Sequence, residues 1–126
     1  MLRFGGGTVN INPIIETALS GLTLNSKIVP VYPIACTDKT KPTTYITYYT
    51  VLEKDGAYGD DDAVETDTTA TIDIFCKGNF KSLLADVKPR LKTAGFTISS
   101  VGPEQYETDT GYYHVPIDIY MEDCNG

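Results

Sequence analysis

The chain has no tryptophan, one histidine and three cysteines in 126 residues. A single imidazole cannot build a histidine metal centre. Cys36, Cys76 and Cys124 are odd in number, widely spaced and free of any C-x-x-C pair. That pattern excludes a disulfide framework, a zinc ribbon and a dithiol redox motif. Reduced thiols in a cytosolic setting are the simplest reading. Basic residues are also scarce, 10 against 17 acids, for a net charge of -7 and a pI near 4.5. Such a surface repels phosphate backbones, which argues against DNA or RNA binding through a basic face. No apolar run approaches the ~20 residues of a membrane span. Met1 to Gly7 has no apolar stretch of the signal-peptide kind. Gly5-Gly6-Gly7-Thr8 lacks the lysine of a phosphate loop, and neither G-x-G-x-x-G nor G-x-S-x-G occurs.

What is present is ordinary for one globular domain. Apolar residues make up 41% and charged residues 21%, which excludes a wholly disordered chain. A chain of this length buries roughly two-thirds of its unfolded surface, so it needs no staples. Residues 1–10 are glycine-rich and read as a flexible segment. Asn12-Pro13 then opens a helix, with Asn12 as cap and Glu16 near the positive end of its dipole. Ile14, Ile15, Ala18, Leu19 and Leu22 form its apolar stripe, and Gly21 stops it. Lys27 to Tyr32 reads as one short strand, held to an edge or made irregular by Pro30 and Pro33. Thr43 to Glu53 is rich in Thr, Tyr, Ile and Val and reads as a long strand. Ile46, Tyr48 and Leu52 share one of its faces; Tyr45, Tyr49 and Val51 share the other. An acidic loop over 54–63 leads to a second long strand, Val64 to Lys77, and the natural pairing is an antiparallel hairpin.

Asn79 then caps the main helix, whose stripe is Phe80, Leu83, Leu84, Val87, Leu91 and Ala94. Pro89 should kink it or split it, and Gly95 ends it. Phe96 to Val101 is a strand, Gly102-Pro103 breaks it, and pairing resumes over Glu104 to Glu107. Thr110-Gly111 turns the chain into a last strand, Tyr112 to Glu122, with Val115, Ile117, Ile119 and Met121 on its apolar face. The expected fold is α+β in one domain over 1–126. It comprises a mainly antiparallel sheet, two helices on one face and a long hairpin with an acidic tip.

Chemistry finds little to stand on. His114 alternates with Tyr113 and Val115 in a strand, which favours a satisfied strand histidine over a catalytic base. The acidic loop is the strongest local feature. Asp55, Asp60, Asp61, Asp62, Glu65 and Asp67 are six of the 17 acids. Adjacent aspartates point different ways, unlike the alternating ligands of a calcium loop. The loop therefore reads either as a solvated tip or as a functional acidic tip. Nine tyrosines reflect sheet propensity or an interface that wants an apolar ring with a polar end. Ile72-Asp73-Ile74-Phe75 and Ile117-Asp118-Ile119-Tyr120 echo each other. Each sets an acid and an aromatic opposite its isoleucines, as plain alternation or as a second face used in assembly. The interface candidates are Tyr45, Tyr49, Asp73, Phe75, Asp118 and Tyr120. No catalytic, cofactor or metal residue is assigned, and the chain reads as a non-enzyme.

The layout resembles the tail-terminator, or tail-completion, proteins of long-tailed bacteriophages, also called tail-to-head joining or minor tail proteins. The similar parts are the N-terminal helix, Ile28-Val29-Pro30-Val31-Tyr32-Pro33, and Pro42 to Tyr48 leading into a long strand. The strand Ala70 to Lys77, the helix with Phe80 and Leu83-Leu84, and the strand Tyr113 to Met121 complete it. The likeness spans roughly residues 12–122. It implies a structural virion protein in the tail or neck, assembled in the host cytoplasm, with no cofactor and no membrane. Such proteins form a ring, typically a hexamer, that caps the tail tube, stops its growth and docks to the head connector. DNA passes through the ring without specific binding. An acidic lumen would let phosphates slide past. The resemblance thus makes Asp60, Asp61, Asp62, Glu65 and Asp67 lumen or tube-contact candidates. Another neck or head–tail adaptor subunit, and an acidic inhibitor that mimics DNA, are the alternative expectations.

Overall fold

Apolar side chains at spacings of three and four wind into helices, and alternating ones lie flat in strands. Both patterns are realised in a computed structural model of the chain, which describes residues 11–51 and 68–121. The acidic loop, the glycine-rich start, Leu52 and Cys124 lie outside the described residues.

Helix α1 runs Asn12–Leu19 and buries Ile15 and Leu19. Ile11, not Asn12, holds the N-cap position, and no side chain caps the helix. Ile11 is only 1% exposed, so core burial draws the helix start onto it. Asn12 falls inside the first turn. Glu16 also has a more specific task than meeting the dipole, because its carboxylate accepts the Tyr48 hydroxyl. The chain leaves the helix through Gly21 at φ +78°.

Strands β1 (Thr23–Leu24) and β2 (Lys27–Ile28) form a small antiparallel hairpin. Asn25 and Ser26 have φ of 54° and 69°, the two positive values of the turn that matches strand twist. The single strand expected over Lys27–Tyr32 is therefore two. Val29 is buried and donates to Leu22 O at 2.9 Å, and beyond Pro30 a separate β3 (Val31–Pro33) begins. It pairs in parallel with β4 (Thr44–Val51). β4 pairs antiparallel with β5 (Thr68–Cys76) in unbroken register from Thr44↔Cys76 to Val51↔Thr69.

Helix α2 (Lys81–Thr93) follows, then β6 (Thr97–Val101), β7 (Gln105–Tyr106) and β8 (Tyr113–Met121). Phe80 holds the N-cap position of α2, and the Asn79 side chain accepts the Lys81 N–H at 2.9 Å. Pro89 neither splits the helix nor ends it. Leu83, Val87 and Leu91 recur every four residues and are all fully buried. That stripe holds both halves on one line, and the proline removes only one hydrogen bond. Past the end of the helix, Gly95 N–H donates to Lys92 O and Phe96 N–H to Leu91 O, both at 3.0 Å. This double closure needs a left-handed residue, and Gly95 supplies it at φ +105°.

The main sheet has six strands in the order β3-β4-β5-β8-β6, with β7 pairing the start of β8. Ile46, Tyr48, Ala70, Ile72, Ile74, Val115, Ile117 and Ile119 point to one side and are buried with the helix stripes. The helices thus cover one face, and the architecture is a two-layer α+β fold. Arg90 ties the helices together. Its Nη1 donates to Ser20 O at 2.7 Å, where a cation also suits the negative helix end.

Candidate assembly surface

The period of two places the remaining residues of β4, β5 and β8 on the face away from the helices. Strand register sorts them into rows. Tyr45, Phe75 and His114 are opposite one another and stack as near-parallel rings. Centroids are 4.7 Å apart for Tyr45–Phe75 and 4.4 Å for Phe75–His114. Tyr112 meets Tyr45 edge-on at 5.4 Å, and Tyr32 does so at 6.0 Å. Offset and edge-on contacts of this kind contribute about 0.5–1.5 kcal/mol each beyond burial.

The connection from β3 to β4, residues 34–43, crosses this end of the face. The Tyr112 hydroxyl donates to Pro42 O at 2.5 Å, and the Tyr32 hydroxyl to Asp38 Oδ2 at 2.6 Å. Tyr45 is consequently 4% exposed, and burial pushes its phenol up to about 12. Burial raises Tyr112 as well. The hydrogen bond to Asp38, ahead of burial, raises Tyr32.

At the opposite end of the face no other described residue crosses the strands, and Tyr49 and Asp118 are exposed. Tyr49, Thr71, Asp118 and Ser100 form one row across β4, β5, β8 and β6. Thr71 Oγ1 donates to Asp118 Oδ1 at 2.9 Å and Ser100 Oγ to Asp118 Oδ2 at 3.0 Å. Two neutral donors orient the carboxylate. Thr69, Tyr120 and Thr97 make the next row. Between the two ends, Asp73 Oδ1 lies 3.0 Å from His114 Nε2, so the histidine has a carboxylate partner and a stacking partner together.

The six strand candidates therefore lie on one face but in different settings. Tyr45 is enclosed by its own chain and is an internal residue rather than a contact surface. Phe75 and Asp73 are partly covered. Tyr49 and Asp118 are exposed, and Tyr120 is half-buried beside them. The acidic candidates Asp60, Asp61, Asp62, Glu65 and Asp67 lie outside the described residues. Sequence reasoning missed Tyr32, Tyr112 and His114 as members of the aromatic cluster. Their alternation placed them on this face, but a crossing loop has no sequence signature. Cys76 is buried and accepts from Thr44 Oγ1 at 3.5 Å. Among the described residues no group of three or more His, Cys, Asp or Glu could hold a metal ion. None of their helices is long and apolar enough to cross a membrane.

No family model matches the chain, and no curated protein does. Seven chains of solved structures match. One of them, a protein that bears no functional name, is 15% identical with a TM-score of 0.58, covering 92% of this chain and 95% of that chain. At that identity the likeness concerns the fold alone.

Proposed function

We propose that the protein is a structural subunit of a phage virion, a ring-forming tail terminator that caps the tail tube and joins it to the head connector. The observation that supports this reading best is the half of the sheet face that no other described residue crosses. A six-stranded sheet with helices on one side among the described residues leaves Tyr49, Thr71, Asp118 and Tyr120 facing the other way as a polar-aromatic surface. Tyrosine-bearing flat surfaces suit protein contacts, since each ring contributes apolar area and its hydroxyl keeps a polar partner. The resemblance over roughly residues 12–122 supplies the identity of the neighbours, namely further copies, the tail-tube protein and the head connector. The net charge of -7 fits a channel through which DNA moves without adhering.

The test is direct. The purified chain is added to polymerising tail-tube protein and tube lengths are measured by electron microscopy. The expected result is short tubes, each capped at one end by a ring. Unchanged tube lengths with no cap at any stoichiometry would overturn the proposal. Capture of a nuclease or polymerase instead would favour the DNA-mimic reading.

A further inference from the structure

β3 stops early. It pairs with β4 from Val31↔Ile46 to Pro33↔Tyr48, whereas β4 runs on through Tyr49, Thr50 and Val51 beside β5. No described strand lies on the other side of those three residues. The ladder up to that point is regular. Ile46 N–H donates to Pro30 O at 2.9 Å and Ile34 N–H to Tyr48 O at 2.8 Å, with every second residue of β4 facing β3, as parallel pairing requires. The next bond of the series would run from Thr50 N–H to Ile34 O. It does not form, because Ile34 has a φ of +70° and turns the chain away over the sheet face. That left-handed conformation is one a β-branched residue rarely adopts.

Residues 34–43 hold this arrangement with few contacts. None of them is buried, and only Cys36 and Pro42 are half-buried. Among the described residues, no backbone–backbone hydrogen bond is made from 36 to 42. Two hydroxyls tie the segment down, Tyr32 to Asp38 and Tyr112 to Pro42 O. Beneath it lie Tyr45 and Tyr112, each 4% exposed. A segment anchored so lightly opens at a small local free-energy cost. Ile34 gains no burial from its conformation, being 76% exposed, and uncompensated strain of this kind is a mark of switch segments.

We propose that residues 34–43 form a two-state strap. Closed, it covers Tyr45 and Tyr112. Open, Ile34 is extended, β3 gains the bond from Thr50 N–H to Ile34 O, and the strap leaves the aromatic cluster. The register then sets Ile34 opposite Tyr49. Both project from the face away from the helices, and Tyr49 is 42% exposed, so two exposed apolar side chains cover each other. The chain is long enough for this. From Ala35 to Thr44 it reaches about 30 Å, while β4 rises about 20 Å from Thr44 to Thr50. Opening adds Tyr45, Phe75 and Tyr112 to the row of Tyr49, Thr71 and Asp118. The role of the strap rests on the assembly reading: it decides whether the aromatic half of the contact face is available.

NMR relaxation dispersion, with amide hydrogen exchange to read slower opening, tests it. The expected result is one common exchange process at the amides of residues 34–43 and Thr50 and at the Tyr45 and Tyr112 rings. Tyr112→Phe keeps the ring and removes the tie to Pro42, so it should raise the open population about fivefold. Ile34→Asn, whose side chain accepts the left-handed conformation, should lower it at least about fivefold. A static segment in both the unaltered chain and Tyr112→Phe would overturn the strap. So would an Ile34→Asn variant that opens as often as the unaltered chain. Capping of tail tubes separates the strap from the reading it rests on. At equal concentration Ile34→Asn should cap fewer tubes than the unaltered chain, by about the factor that its open population has fallen. Full capping by Ile34→Asn with its opening suppressed would overturn the link between strap and assembly. An unaltered chain that caps no tubes would remove the assembly reading itself, and the exchange measurements would then decide the strap alone.

Discussion

Tyr45 illustrates how one residue's position sets a measurable property. In an unfolded chain its phenol titrates near 10, whereas burial pushes it up to about 12 in the fold. Below pH ~10 both states hold the proton and stability does not depend on it. Above that, the unfolded chain loses its proton first, so it binds fewer protons than the native state and stability falls as pH rises. The loss continues until the native phenol ionises too. Tyr48 shifts in the same direction, through burial and then its bond to Glu16. The urea midpoint should therefore be flat from pH 8 to 9.5 and fall between 10 and 12. Tyr45→Phe should flatten that decline, and parallel profiles for the two proteins would contradict the burial account. The alternating pattern placed Tyr45 opposite Ile46 in the sequence, which correctly set it on the face away from the helices. Its enclosure was not legible, because the loop that covers it is tied down by Tyr112, 70 residues beyond the Pro42 carbonyl that it binds.

Helix α2 shows the balance between local preference and packing at the scale of an element. A proline inside a helix costs about 3 kcal/mol relative to alanine. The stripe of Leu83, Val87 and Leu91 outweighs it, since each fully buried side chain of this size contributes about 1.5–3 kcal/mol. Pro89 itself is exposed, so its ring adds little burial. Pro89→Ala should raise stability by about 1–3 kcal/mol, read as a higher melting temperature with the assembly unchanged. A drop in melting temperature would mean that the proline has a packing role against α1. Helix and long-strand identities were legible because their apolar periods are unambiguous. The two-residue strands β1 and β2 were not, because pairs so short carry no period, and only Pro30 marked the break before β3. The small hairpin depends instead on Asn25 and Ser26 accepting positive φ.

At the scale of the whole molecule, each copy carries a charge of -7, so copies brought together in the proposed ring repel one another at long range. Salt screens that repulsion, because the screening length falls from about 10 Å at 0.1 M to 3 Å at 1 M. Assembly should therefore be weakest at low ionic strength. Raising sodium chloride from 0.05 to 0.5 M should lower the apparent dissociation constant by about tenfold, a gain of about 1.4 kcal/mol. Assembly that weakens as salt rises would instead mean that opposite charges meet at the subunit contact. The proposed assembly face draws on β4, β5, β6 and β8 together, and none of them alone would suggest it.

The amino-acid order by itself determined the two helices, the long strands, the face each strand residue occupies and the absence of a histidine metal centre. These depend on periodicity and composition, which are local. Only the tertiary structure decided that β3 runs parallel to β4, that the loop over 34–43 crosses and encloses Tyr45, and that Tyr49, Thr71, Asp118 and Ser100 form one row across four strands. Those outcomes depend on which strands become neighbours. That choice is made by burying Ile46, Ile72, Ile74, Val115, Ile117 and Ile119 against the helices, a cooperative result of the whole chain rather than of any stretch of it.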